Sequence, residues 1–284
     1  MRCNNPKSLI PPELNSHHCM YTVRKGLCTN VKKLYNCKYC TKKYKHRQSK
    51  FKHEKMYRND YKYDYVISLS YNRNVIKKNK DEAIIEAKKK YQVEIATEVA
   101  TPQHVELALK AGVSLIWIGA RTTVSPFIVE EIAQSLKGVD IPVFIKNPIN
   151  PDLSLWKGAI ERFYKADITK LGAIHRGFDS FQKTKYRNVP LWQIPIELKS
   201  EFPELPLICD PSHISGKRSL VKGIAQKALD LNYDGLMIES HINPSEALSD
   251  AEQQLTPKSL KDLLNNLEYR DATSSNRAFT DHLD

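Results

Sequence analysis

Leu115-Ile-Trp-Ile-Gly119, then Pro126-Phe-Ile-Val-Glu-Glu-Ile-Ala-Gln-Ser-Leu136, then Val143-Phe-Ile-Lys146, spell out one strand–helix–strand unit in residue types. The flanking runs are short and apolar, while the segment between them is amphipathic, the alternation expected of parallel βα units in an α/β fold. The same pattern extends in both directions. It predicts six strands, Val93–Thr97, Leu115–Gly119, Val143–Lys146, Lys170–Ile174, Leu205–Cys209 and Gly235–Glu239. The predicted helices run over Asp81–Tyr91, Pro102–Ala111, Pro126–Leu136, Leu153–Lys165, Leu191–Lys199, Leu220–Leu231 and Pro257–Leu267. Thr101-Pro102 and Thr256-Pro257 are helix openings, each a hydroxyl cap with proline at the first helical position.

Before residue 81 the composition is different. Residues 1–80 carry 20 Lys/Arg against 4 Asp/Glu, whereas residues 81–284 carry 24 against 28, so the basic character belongs to the front segment alone. Five of the six cysteines, Cys3, Cys19, Cys28, Cys37 and Cys40, lie there too. Within residues 30–80 periodicity is weak apart from Tyr63–Leu69, which alternates weakly as a short strand would, and poor order is expected there. Cys37, Cys40, Tyr44 and His53 have the spacing of a two-Cys, two-His zinc finger at 37–57, but Tyr57 and Arg58 stand where the fourth ligand belongs. Two readings stay open, a basic arm with incidental Cys and His, and a degenerate zinc site. Lys and Arg with interleaved Tyr would suit nucleic acid electrostatically, and only through residues 1–80.

No run approaches the roughly 18 apolar residues of a membrane span. Pro11, Pro12, His17 and His18 interrupt the place where an export signal needs an apolar run, so a cytoplasmic, reducing setting is expected.

In a parallel barrel the reactive groups gather at the C-terminal strand ends. Here nearly every predicted strand ends in polar residues: Glu98; Arg121; Lys146 and Asn147; His175 and Arg176; Asp210 to His213; Glu239, Ser240 and His241. Arg121, Lys146 and Arg176 suit phosphate and carboxylate, the arginine forks by paired charge-assisted bonds and the lysine as a point charge. His213, Glu239 and Asp250 offer one imidazole and two carboxylates, a donor mix that fits a divalent ion of the Mn, Fe, Co or Zn kind.

Five segments carry a resemblance: Ile118-Gly-Ala-Arg-Thr-Thr123, Ile145-Lys-Asn-Pro148, Gly172-Ala-Ile-His-Arg-Gly177, Cys209-Asp-Pro-Ser-His213 and Gly235-Leu-Met-Ile-Glu-Ser-His241. In order and content they resemble the 3-deoxy-7-phosphoheptulonate (DAHP) synthases, over about Asp81 to Leu267. The resemblance implies a (β/α)8 TIM barrel, incomplete here at about six βα units, spanning 81–268. It implies condensation of phosphoenolpyruvate with erythrose 4-phosphate, a step of aromatic amino acid biosynthesis, in a homo-oligomer. By it Arg121, Lys146 and Arg176 hold phosphoenolpyruvate, His213, Glu239 and Asp250 ligate the metal, and Lys146, His175 and Glu98 are catalytic groups. Residues 269–284 resemble the linker that joins such a synthase to a chorismate mutase domain in bifunctional members. A sister enzyme, 3-deoxy-manno-octulosonate 8-phosphate synthase, shares the superfamily, but Asp210-Pro-Ser-His213 and Gly119-Ala-Arg-Thr122 read as the heptulosonate type.

The family opens its barrel with two strands ending in Gly-Pro-Cys-Ser and Lys-Pro-Arg-Thr, and neither motif occurs in this sequence. Two edges of the sheet would then be exposed, and impaired turnover is expected. The alternative is a non-catalytic barrel remnant carrying a zinc- or nucleic-acid-binding arm. A mis-joined reading frame would also account for the change of composition near residue 80.

Overall fold

Strands that are apolar at every position need cover on both faces, and here they obtain it by closing into a ring with helices outside. The computed structural model describes residues 94–247 and 249–268 in full, and the backbone of two further strands. In chain order the elements are β1 (Cys19–Arg24), β2 (Tyr65–Leu69), β3 (Glu94–Val99), α1 (Pro102–Lys110), β4 (Leu115–Ile118), α2 (Ala120–Thr123), α3 (Pro126–Ser135), β5 (Val143–Lys146) and α4 (Leu153–Lys165). There follow β6 (Leu171–His175), α5 (Gln193–Glu201), β7 (Leu207–Cys209), α6 (Pro211–Ser215), α7 (Arg218–Asp230), β8 (Gly235–Ser240) and α8 (Pro257–Asn265). All six predicted strands are present, and the helices predicted within the described residues are too. Their ends lie within two residues of the expected positions. The helix expected at Asp81–Tyr91, the zinc-finger residues Cys37, Cys40 and His53, and the tail 269–284 lie outside the described residues.

The eight strands form a closed barrel in sequence order. Strands β2 to β8 run parallel, and β1 pairs antiparallel with both β2 and β8. The six βα units therefore stand as read, and the two remaining places in the ring are taken by strands from the basic front segment. Tyr65–Leu69 falls inside the weakly alternating run, whereas Cys19–Arg24 had no such signal. The edges expected to be exposed are covered: Val66 to Ser68 pair with Glu94 to Ala96, and Cys19 to Arg24 pair with Ser240 to Gly235.

Caps set where the helices begin. Thr101 accepts from the His104 amide and Asp152 from Leu155, while Thr256 accepts from Ser259. Proline follows the first and the last of these caps. Inside the ring, Ala96, Leu115, Trp117, Phe144, Ile174, Ile208 and Met237 form one apolar cluster. Their strand neighbours, among them Ile95, Ile116, Ile145, Ala173, Cys209 and Ile238, belong to a second cluster with the helix residues Val129, Trp156, Phe163 and Ile224. Two-residue alternation thus fixes which side chains face inward along each strand. The helix layer is tied down as well as packed, since the Trp156 indole donates to the Ile145 carbonyl at 3.1 Å.

Candidate active site

Carried to the C-terminal strand ends, the inward alternation gives Glu98 on β3, Gly119 after β4, Lys146 on β5, Arg176 after β6, Asp210 after β7 and Glu239 on β8. Of the groups expected at the mouth, these and the loop residues beside them are the ones brought together. Asp210 is fully buried and shared: Lys146 Nζ donates to its Oδ2 at 2.9 Å, and His213 Nδ1 lies 2.8 Å from the same oxygen. Its Oδ1 accepts from the His213 amide, which makes Asp210 the cap of α6. Burial pushes this carboxyl up, but the close approach of His213, the Lys146 ammonium and the bond from the His213 amide outweigh it. The carboxyl is held well below the usual range and stays ionised.

Arg176 donates through Nη1 to Asn188 Oδ1 at 2.8 Å. Burial lowers its guanidinium from the ordinary value, Asp210 opposes this, and the nearby cations Arg187 and Arg121 add to it. Three arginines therefore share one region. Arg121 itself is exposed on α2, which Thr123 anchors by donating to the carbonyls of Gly119 and Lys146. Glu98 accepts from the Trp117 indole at 3.2 Å. Its carboxylate occupies the space a side chain on residue 119 would need, since a Cβ there would come within 2.1 Å of Oε1. Only glycine at 119 leaves Glu98 this place.

One ligand atom from each of His213, Glu239 and Asp250 lies within 4.8 Å of the others. His213 Nε2 is 3.7 Å from Glu239 Oε1, and its other nitrogen sits against Asp210. A carboxylate on the far nitrogen is the arrangement that orients an imidazole and turns its remaining lone pair toward an ion. The donor set and the spacing fit a divalent cation. Glu239 is nearly inaccessible and its amide donates to Ser212 Oγ at 3.0 Å, while Asp250 adopts a left-handed backbone (φ 55°) at the turn that brings it back to the mouth. A cleft of about 430 Å³, walled by Lys185, Arg187, Lys217, Asp250 and Gln253, opens beside the cluster.

His175 was expected among the catalytic groups and the structure does not bring it to the mouth. Ile174 faces the barrel interior, so His175 must face the helices, where it is fully buried among Phe178, Trp192 and Tyr233. Its Nδ1 meets the Tyr233 hydroxyl at 2.8 Å. Burial lowers its pKa to about 3, the Pro190 carbonyl and Asp210 opposing, so the ring is neutral. Asn147 likewise faces outward and ties loops together: it donates to the Pro148 and Gly177 carbonyls and accepts from the Arg176 amide, each at 2.7 Å.

Sequence reasoning missed Arg187, Asn188 and Gln253, which come from loops after β6 and β8 and carry no periodic signal. Asp210 stood inside a quoted motif, and its place two residues beyond the inward Ile208 was the available sign.

The fold defines a (β/α)-barrel protein whose C-terminal mouth gathers cations beside a cluster of one imidazole and two carboxylates. Residues 72–274 match the DAHP synthetase I family, and the chain belongs to that family. A phospho-2-dehydro-3-deoxyheptonate aldolase from Thermotoga maritima is 28% identical over 187 residues, covering 64% of this chain; the chain spans about half (52%) of that relative's length. Among solved structures, a truncated 3-deoxy-D-arabino-heptulosonate 7-phosphate synthase from Thermotoga maritima superposes with a TM-score of 0.62 at 24% identity, covering 70% of this chain and 73% of its own. The phospho-2-dehydro-3-deoxyheptonate aldolase (DAHP synthase) structure from the same organism gives 0.61 at 24% identity, covering 70% and 58%. These structural likenesses establish the fold.

Proposed function

We propose that the chain binds phosphoenolpyruvate at the barrel mouth and carries the machinery of a DAHP synthase: attack of the enol carbon on the aldehyde carbon of erythrose 4-phosphate, addition of water to the oxygen-bearing carbon, and departure of phosphate. The observation that carries this reading is the convergence of Lys146, Arg176 and Arg121 beside the His213, Glu239 and Asp250 cluster. Arginine forks and a lysine point charge match the carboxylate and phosphate of phosphoenolpyruvate. Held at fixed strand ends, they orient the enol and stabilise charge as the phosphate departs. Asp210 keeps Lys146 extended toward the centre and fixes the His213 ring. A divalent ion of the Mn, Fe, Co or Zn kind, held by His213, Glu239 and Asp250, would supply Lewis-acid polarisation of the aldehyde. His175, packed behind the strand against Tyr233 and Trp192, belongs in this reading to the scaffold and not to the chemistry. The reading carries with it a cytoplasmic homo-oligomer; no helix among the described residues is long and apolar enough to cross a membrane.

Turnover needs the aldehyde held as well as the enol, and the sequence has neither Gly-Pro-Cys-Ser nor Lys-Pro-Arg-Thr. We therefore expect phosphoenolpyruvate binding with phosphate release far below that of a complete enzyme, since about 1 Å of misplacement can cost roughly a hundredfold. Phosphate release from the full chain with both substrates and Mn²⁺ tests the second half, and full activity would show that the front segment supplies the missing contacts. Calorimetric titration of phosphoenolpyruvate tests the first, and failure to bind it would end the proposal.

A further inference from the structure

We infer that Gln253 is a positioning residue that, with Arg187, sets the geometry of the Glu239 and Asp250 carboxylates; this rests on the metal reading of the cluster. The side chain of Gln253 is almost wholly buried (1% exposed) and both ends of its amide are engaged. Nε2 donates to Glu239 Oε2 at 2.5 Å, and Oε1 accepts from Arg187 Nη1 at 2.8 Å. The same Arg187 nitrogen contacts Asp250 Oδ1. One amide and one guanidinium thus tie together carboxylates that enter from β8 and from the following loop.

The amide has one workable orientation. Turned over, it would set its NH₂ group against a guanidinium and its carbonyl against a carboxylate, pairing donor with donor and acceptor with acceptor. By taking Oε2 of Glu239, Gln253 leaves Oε1 as the oxygen that lies nearest His213 Nε2. Arg187 is itself held, because its Cβ packs against Gly216 so closely that a Cβ at 216 would come within 2.5 Å of it. The backbone adds a further constraint, since the Gln253 amide donates to the Asp250 carbonyl at 3.1 Å and fixes the distance between ligand and supporter. Two like-charged carboxylates that must face one ion are thereby steadied by a neutral donor on one and a cation on the other.

The test is the affinity of the full chain for Mn²⁺ alone, read by competition with a chelating dye, beside phosphoenolpyruvate affinity measured without metal. Gln253→Leu keeps the bulk and removes both bonds. Mn²⁺ affinity should fall 10- to 100-fold, the range seen when groups supporting metal ligands are removed, while phosphoenolpyruvate affinity changes less than twofold. His213→Ala separates the two hypotheses. If it leaves Mn²⁺ affinity intact, the cluster is not a metal site. If it abolishes binding while folded Gln253→Leu stays within twofold of wild type, the positioning role is overturned. Should Gln253→Leu not fold, Arg187→Met at the more exposed end of the same link replaces it, with an expected loss of three- to tenfold and the same overturning result.

Discussion

Inward and outward residues at the strand ends differ by a single step along the chain and by everything in their surroundings. Facing inward, Glu98, Lys146, Arg176, Asp210 and Glu239 are ionisable, and four of the five are bound into contacts with other mouth residues. Facing outward, Asn147, His175 and Ser240 are uncharged and hold structure: Asn147 joins two loops, His175 meets Tyr233, and Ser240 donates to the Leu255 carbonyl at 2.9 Å. A polar residue at a barrel mouth is thus assigned by the parity of its position, since the pleat sends alternate side chains to the ligand and to the helices. Inward substitutions should weaken binding, and outward ones should weaken the fold.

The largest effect should come from a residue that serves both. Lys146→Ala leaves Asp210 buried with one cation fewer, and removing one partner of a buried pair costs roughly 3 to 5 kcal/mol. Urea unfolding measures it, and a loss below about 1 kcal/mol would show that His213 alone satisfies Asp210. Asn147→Ala should cost on the order of 2 to 3 kcal/mol by leaving buried carbonyls and the Arg176 amide without partners. Unchanged stability there would break the division between faces.

A smaller effect depends on pH. The unfolded chain protonates a histidine near pH 6.5, whereas folded His175 takes the proton only at about 3. Below the unfolded value the unfolded state binds more protons, so stability falls as pH falls. Between pH 6.5 and 5 the loss from this residue is about 2 kcal/mol, at about 1.36 kcal/mol per pH unit. Asp210, whose folded pKa is depressed, adds its own loss only near and below its unfolded value of about 3.9, outside that window. His175→Phe should be less stable at pH 7 and lack this component of the slope; a slope equal to wild type would place the titration elsewhere. Smallest of all, Gly119→Ala displaces the end of the flexible Glu98 side chain and its bond from Trp117, for a loss of about 1 kcal/mol or less in thermal unfolding.

The strands and helices of residues 94–268 were readable because apolar runs and amphipathic turns are local signals. Which strand-end residues share a face is readable in principle from two-residue parity, which separates His175 from Arg176 where adjacency alone groups them. Arg187 and Gln253 could not be found that way, for they reach the mouth through loops whose paths depend on tertiary contacts such as the close approach to Gly216. Nor could Cys19–Arg24, which joins β8 antiparallel from more than two hundred residues away in sequence.

The central claim is that parity divides binding from scaffold, and adjacent residues on β6 test it most directly. Phosphoenolpyruvate is titrated calorimetrically into the full chain, wild type, Arg176→Ala and His175→Phe, at pH 7. Loss of the Arg176 contact should cost roughly 1.5 to 3 kcal/mol of affinity, about 10- to 150-fold, while folded His175→Phe stays within about threefold. Equal loss in both, or unchanged affinity in Arg176→Ala, would contradict the account.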